Sequence, residues 1–135
     1  MFQGYSLNVN VATNSAIPFN NVTIAKGCTA KLEGVSTIKL NKRGIYMVSV
    51  DVAGTPTAAG TMSIQLSKNG VLQPQAQSSV TGATANISNM SFVTLVQVQE
   101  DNTCSCCTSP TSIQLINTGV PTDYEITNIV VTKIC

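Results

Sequence analysis

From residue 16 onward the chain reads as short apolar runs rich in β-branched residues, broken by turn signals about every ten residues. The runs are Ala16–Phe19, Val22–Ala25, Thr29–Glu33, Thr37–Leu40, Ile45–Ala53, Met62–Lys68, Val71–Ser78, Ser91–Gln99, Ser112–Asn117 and Glu125–Ile134. No stretch carries a helical period, so the pattern predicts an all-β sandwich or barrel. Asn69-Gly70 between two runs is a hairpin signal, because both residues tolerate the positive φ of a type I′ turn. Gly27, Gly34, Gly44 and Gly119 punctuate other junctions. Pro74 inside a run marks an edge strand or a bulge, since proline cannot donate to a ladder. Residues 1–15 are polar and show no clear alternation. They are expected to form an N-terminal arm or anchor outside a single domain spanning 16–135.

The alternation differs between runs. Met62-Ser63-Ile64-Gln65-Leu66-Ser67 alternates cleanly, with one face for a core and one for water. Ile45 to Val52 is apolar on one face and half apolar on the other. Phe92-Val93-Thr94-Leu95-Val96 and Ile129-Val130-Val131 put apolar groups on both faces. Only one face of each sheet points inward in a two-layer sandwich. A sheet made from these three strands would expose an apolar patch of a size monomers rarely carry. Packing against other copies of the chain accounts for it, and an obligate homo-oligomer follows. A short barrel or an irregular core covering both faces is the alternative.

Composition sharpens this by subtraction. The 135 residues carry seven Lys+Arg against six Asp+Glu, with no His and no Trp; 10% are charged and 43% apolar. Near-neutral charge gives no electrostatic footprint for nucleic acid or an acidic membrane. Without His, the commonest general base and metal ligand is missing, and six scattered carboxylates leave little for acid–base work. There is no G-x-S-x-G, P-loop or G-x-G-x-x-G, and Asp51, Glu100 and Asp101 do not form a calcium loop. An enzyme is not expected. Asn41-Lys42-Arg43-Gly44 is the one dense basic spot, either a solvated turn or a contact for an acidic partner. The opening residues lack the basic and apolar regions of a signal peptide, and no apolar run approaches the ~18 residues that span a membrane.

Five cysteines remain: Cys28, then Cys104, Cys106 and Cys107 in one loop, and Cys135. An odd count leaves at least one thiol free or intermolecular. Their spacing is a poor match to paired zinc knuckles, although thiolates alone could hold zinc. Antiparallel strand counting brings the turn at Cys28, the loop 100–111 and the C-terminus to one end of the sandwich. A disulfide or structural-zinc staple there is the expectation, unrelated free thiols the alternative. No His is available to activate a catalytic cysteine.

The order of these signals resembles a known family. Thr37-Ile38-Lys39-Leu40, Gly44-Ile45-Tyr46-Met47-Val48-Ser49-Val50 and Ile64-Gln65-Leu66 followed by Asn69-Gly70 look like the ten-strand jelly roll of tumour necrosis factor and the complement-type globular head. Ala16-Ile17-Pro18-Phe19-Asn20-Asn21 and Ile129-Val130-Val131-Thr132-Lys133-Ile134 are similar to its bacterial and phage branch, which includes the C-terminal domain of the spore-surface collagen-like glycoprotein. The resemblance covers residues 16–134 and implies a homotrimer, with Ile45, Met47, Val93, Leu95, Ile129 and Val131 at the interface. There is no Gly-X-Y stalk, which turns the resemblance toward head-fibre or head-decoration proteins of phages of Gram-positive gut bacteria. That implies a virion protein on the outer surface of the phage head, assembled in the host cytoplasm. Phe2, Tyr5, Leu7 and Val9 of the arm would bind the major capsid protein or another virion component. A bacterial surface or spore-coat domain is the first alternative. The second is a receptor-binding tip whose polar loops, Gly54–Gly60, Val80–Asn89 and Thr118–Asp123, touch carbohydrate or a cell surface.

Overall fold

The computed structural model describes residues 1–25, 30–82, 86–98 and 111–134. Among them there are eleven strands and no helix: β1 Phe2–Val11, β2 Ser15–Ala16, β3 Asn21–Ala25, β4 Ala30–Glu33, β5 Thr37–Leu40, β6 Gly44–Pro56, β7 Gly60–Lys68, β8 Val71–Gly82, β9 Ser88–Val98, β10 Thr111–Asn117 and β11 Thr122–Lys133. Two antiparallel sheets form, in the orders β3-β1-β11-β6-β9 and β4-β5-β10-β7-β8, with β2 attached to β10. A sandwich results, and the barrel alternative falls away.

Inward positions of both sheets build the core. Val48, Val50 and Val52 of β6 and Ile129 and Val131 of β11 face Ile38, Leu40, Ile64, Leu66, Ile113 and Leu115 of the other sheet, all essentially without exposed surface. The Asn69-Gly70 hairpin forms as expected, with φ of 52° and 84°, the left-handed pair a type I′ turn requires. Pro74 lies on β8, an edge strand, where its missing N–H interrupts no ladder.

Two expectations need correction. Residues 1–15 do not form an arm outside the sandwich. Phe2–Val11 is a strand inside the five-stranded sheet, paired with β11 from Phe2↔Val131 to Val11↔Thr122 and with β3 on its other side. Its alternation is hidden for two physical reasons. The inward positions after Phe2 are Gly4 and Ser6, both buried yet not apolar; Ser6 and Thr127 satisfy each other through their hydroxyls. The phase then switches at Asn8, whose φ of 53° breaks the ladder, so Leu7 points out while Val9 packs against the core. The strand count also changes, since the run Ala16–Phe19 is not a full strand. Only Ser15–Ala16 pairs, while Ile17 and Phe19 plug the core and hold single bonds from their N–H groups to the carbonyls of Leu115 (2.8 Å) and Val35 (2.6 Å).

The sandwich has two distinct ends. At one, here the proximal end, β6 begins, β11 and β7 finish and β10 starts; the Lys68 ammonium donates to the Gln97 carbonyl across the sheets at 2.9 Å. At the other, distal end, a buried polar clasp joins the sheets. Tyr124 O–H donates to Asn117 Oδ1 at 2.8 Å, and Asn117 Nδ2 donates to the carbonyls of Val11, Ala12 and Val120 at 3.0, 3.3 and 3.2 Å. Gly119 lies flat against β7 in the same clasp. A Cβ there would sit 2.5 Å from the Ser63 nitrogen and closer still to the Thr61 carbonyl, so no side chain fits.

Candidate self-association face

The outer face of the five-stranded sheet is built by register. Met47 stands between Leu95 of β9 and Thr132 of β11, and Ser49 between Val93 and Val130. Ile45 continues the row toward the proximal end, where its carbonyl accepts the Ile134 N–H at 2.8 Å. A polar row follows, with Asp51 between Ser91 and Asn128, and Tyr5 and Gln3 beside them on β1. Gln3 Nε2 donates to Asn128 Oδ1 at 3.2 Å. A second apolar pair, Leu7 and Ile126, lies beyond, with Ala53 next to it. The dip over Ala53 makes a shallow basin of about 420 Å³ walled by Tyr5, Asp51, Asn89 and Ile126.

Of the six residues expected at an interface, Val93 (62% exposed), Leu95 (58%) and Met47 (37%) stand open on this face, with Ile45 half-buried beside them. Ile129 and Val131 do not: both are fully buried in the core of the protomer. The outward residue of that strand is Val130. The phase was readable in the sequence, because the set Thr127, Ile129, Val131 is more apolar than the set Asn128, Val130, Thr132, and the more apolar set turns inward. Leu7 and Ile126, which the sequence reading did not place on this face, were masked by irregularities at Asn8 and between Tyr124 and Ile126.

The remaining candidates scatter. Phe2 is fully buried, Val9 leans on the core, Tyr5 is half-buried and Leu7 is exposed. Cys28, Cys104, Cys106, Cys107 and Cys135 all lie outside the described residues, and so does the staple or zinc expected of them. Among the described residues no group of three or more metal-ligating side chains comes together, and no helix is long and apolar enough to cross a membrane. Of the loops in the receptor-tip reading, 54–60 and 118–123 meet at the distal end, where the Thr57 N–H donates to the Pro121 carbonyl at 2.9 Å, while part of 80–89 lies outside the described residues. Titration is perturbed at two buried phenols. Burial raises the pKa of Tyr46, whose O–H donates to the Lys42 carbonyl at 2.7 Å. Burial also pushes Tyr124 well above the usual tyrosine range.

No protein-family model matches the sequence, and no curated protein matches it. Solved structures do match in fold. The globular domain of zebrafish complement 1qA protein superposes with a TM-score of 0.73 at 8% identity, over 99% of this chain and 96% of that one. Eiger TNF from S. frugiperda gives 0.73 at 10% identity, over 99% and 93%. PRD1 vertex protein P5 gives 0.61 at 15% identity, over 99% and 96%. The fold is a jelly roll like those of tumour necrosis factor and complement heads.

Proposed function

We propose that the chain is a non-enzymatic structural protein of a phage particle, a head-fibre or capsid-decoration protein that works as a homotrimer. The observation that carries self-association is the apolar row of Met47, Val93 and Leu95, open on the outer face of β6 and β9, with the half-buried Val130 of β11 beside it. Covering the exposed part of this row gains roughly 25 cal/mol per Å² of apolar surface removed from water, which favours assembly over leaving the row in water. The trimer is what the resemblance to the tumour necrosis factor jelly roll implies. The likeness to PRD1 vertex protein P5 along almost the whole chain supports the particle setting.

Attachment to the particle changes in form, because β1 is part of the sheet. Phe2 and Val9 are committed to the protomer, and Tyr5 and Leu7 lie on the same outer face as the apolar row, so β1 supplies no anchor separate from the self-association face. Mass spectrometry of purified virions from a phage encoding this chain tests the reading. Multiple copies per particle are expected. Their absence from virions, with the protein found instead on bacterial cells or spores, would overturn it in favour of a cell-surface role.

A further inference from the structure

The sequence's seven cations and six anions nearly cancel, yet the fold sorts them by height. Lys42 and Arg43 occupy the turn that enters β6, and Lys133 pairs with Tyr46 at the same end. Lys68 closes β7 there and reaches Gln97. Lys31 and Lys39 face each other across β4 and β5, next to Leu40, which aligns with Thr111 at the start of β10. All six described cations thus belong to the proximal half, opposed there by one described carboxylate, Glu33, at 2.7 Å from Lys39. Asp51 sits at mid-height, and Asp123 and Glu125 lie toward the distal end, where the described residues include no Lys or Arg. Among the described residues, the proximal balance is six cations against one anion.

We propose that the proximal end is a docking surface for an acidic protein, one that presents clustered carboxylates. Lys31, Lys42 and Lys133 are exposed there, on strand ends rather than in a groove. Five of the six cations are lysines, compact point charges on flexible stems that suit spread carboxylates better than the bidentate geometry in which arginine excels. Nucleic acid fits less well, because phosphate recognition favours the planar guanidinium over lysine and no aromatic platform is available for single-stranded bases. Phe2, Phe19, Tyr46 and Tyr124 are buried, Phe92 packs against the core and Tyr5 lies in mid-sheet. An asymmetric charge of this kind steers and orients an encounter more than it tightens it. The inference goes beyond the virion reading and does not depend on it, since any acidic protein surface would be met by this end first.

The test uses the full chain and poly-L-glutamate as probe, with duplex DNA and phosphatidylglycerol vesicles as competing probes. Binding to poly-L-glutamate is expected at low ionic strength, weakening steeply between about 0.01 and 0.15 M salt as the Debye length shrinks. The triple variant Lys31→Ala, Lys42→Ala, Lys133→Ala should bind at least about tenfold more weakly. A control with the same net-charge change on β8, Gln75→Glu, Gln77→Glu, Ser79→Glu, should bind like the native chain. If the triple variant fails to fold, the exposed single change Lys42→Ala must reduce the salt dependence. No binding to poly-L-glutamate, an equal loss in the control, or tighter binding to DNA or vesicles would each overturn the proposal.

Discussion

The two sheets turn equivalent faces to the outside and dress them differently. On the six-stranded sheet the outer rows are Thr61 beside Thr81, Ser63 beside Ser79 and Gln65 beside Gln77. These groups satisfy one another or the backbone. Ser63 and Thr118 share a 2.7 Å hydroxyl bond, Gln65 donates to the Gln73 carbonyl at 3.0 Å, and Gln114 donates to Thr37 at 2.8 Å. Apolar exposure on this sheet lies at its margins, at Val71 and Leu72 of β8 and Val35 in the β4–β5 turn. On the five-stranded sheet the corresponding positions are Met47, Val93, Leu95 and Val130 at one end and Leu7 with Ile126 at the other. Cross-strand neighbours there offer one another only partial cover, and Val93 and Leu95 remain more than half exposed. The contrast teaches that a low overall charge need not make a protein uniformly sticky. One face can spend its neutral residues on hydrogen bonds, while the other leaves apolar groups open.

Four substitutions sharpen that comparison, and each is best measured by urea unfolding in the Leu95→Lys background, where folding and assembly are uncoupled. The largest effect is expected at Ile129, an inward residue of β11. Ile129→Ala should cost the protomer about 2–5 kcal/mol, the range for an uncollapsed core cavity. An unchanged protomer would mean that Ile129 belongs to the interface after all. Asn117→Ala comes next, at roughly 2–3 kcal/mol, because it removes the partner of the buried Tyr124 hydroxyl and the side-chain donor of the Val11 carbonyl, and strips one of two donors from the Ala12 and Val120 carbonyls.

Tyr124→Phe should cost only about 1 kcal/mol at neutral pH, the net worth of one hydrogen bond, but it should change the alkaline limb. The folded pKa of Tyr124 is raised above the ordinary value of 10.0. The protonated form is therefore favoured in the folded state, and stability is fully present below pH 10. It should decline as pH rises past 10, a decline flattened in Tyr124→Phe. The smallest effect on the protomer is expected at Val130, one residue from Ile129 but on the outer face. Val130→Ser should stay within about 0.5 kcal/mol of the parent, as surface changes do, while in the otherwise native chain it weakens assembly.

Much of this architecture was legible beforehand, and the reasons differ by element. The strand from Ile45 to Pro56 alternates inward and outward positions throughout, and the next does so from Met62 to Leu66, up to its irregularity at Ser67, so period and face could both be read. The hairpin at Asn69-Gly70 was legible because its backbone demands those residues. Strand β1 was not, because its buried positions are filled by Gly4 and Ser6 and its phase switches at Asn8. Burial there depends on partners more than 100 residues away, such as Thr127 for Ser6. The outer apolar face was half legible: Met47, Val93 and Leu95 stand open on it as the alternation suggests, but within β11 the outward residue is Val130, while Ile129 and Val131 turn inward. The gathering of cations at one end was invisible to net charge, because it arises only once topology brings residues 31, 42, 68 and 133 together.

Light scattering coupled to size exclusion, on the native chain and on Leu95→Lys, tests the assembly face most directly. The native chain should elute at three times its 14.1 kDa protomer mass, and Leu95→Lys as a folded monomer, while a lysine at Gln77 on the opposite sheet should leave the trimer intact. A native monomer, or a trimer that survives a charge at Leu95 and dissociates with one at Gln77, would contradict the account.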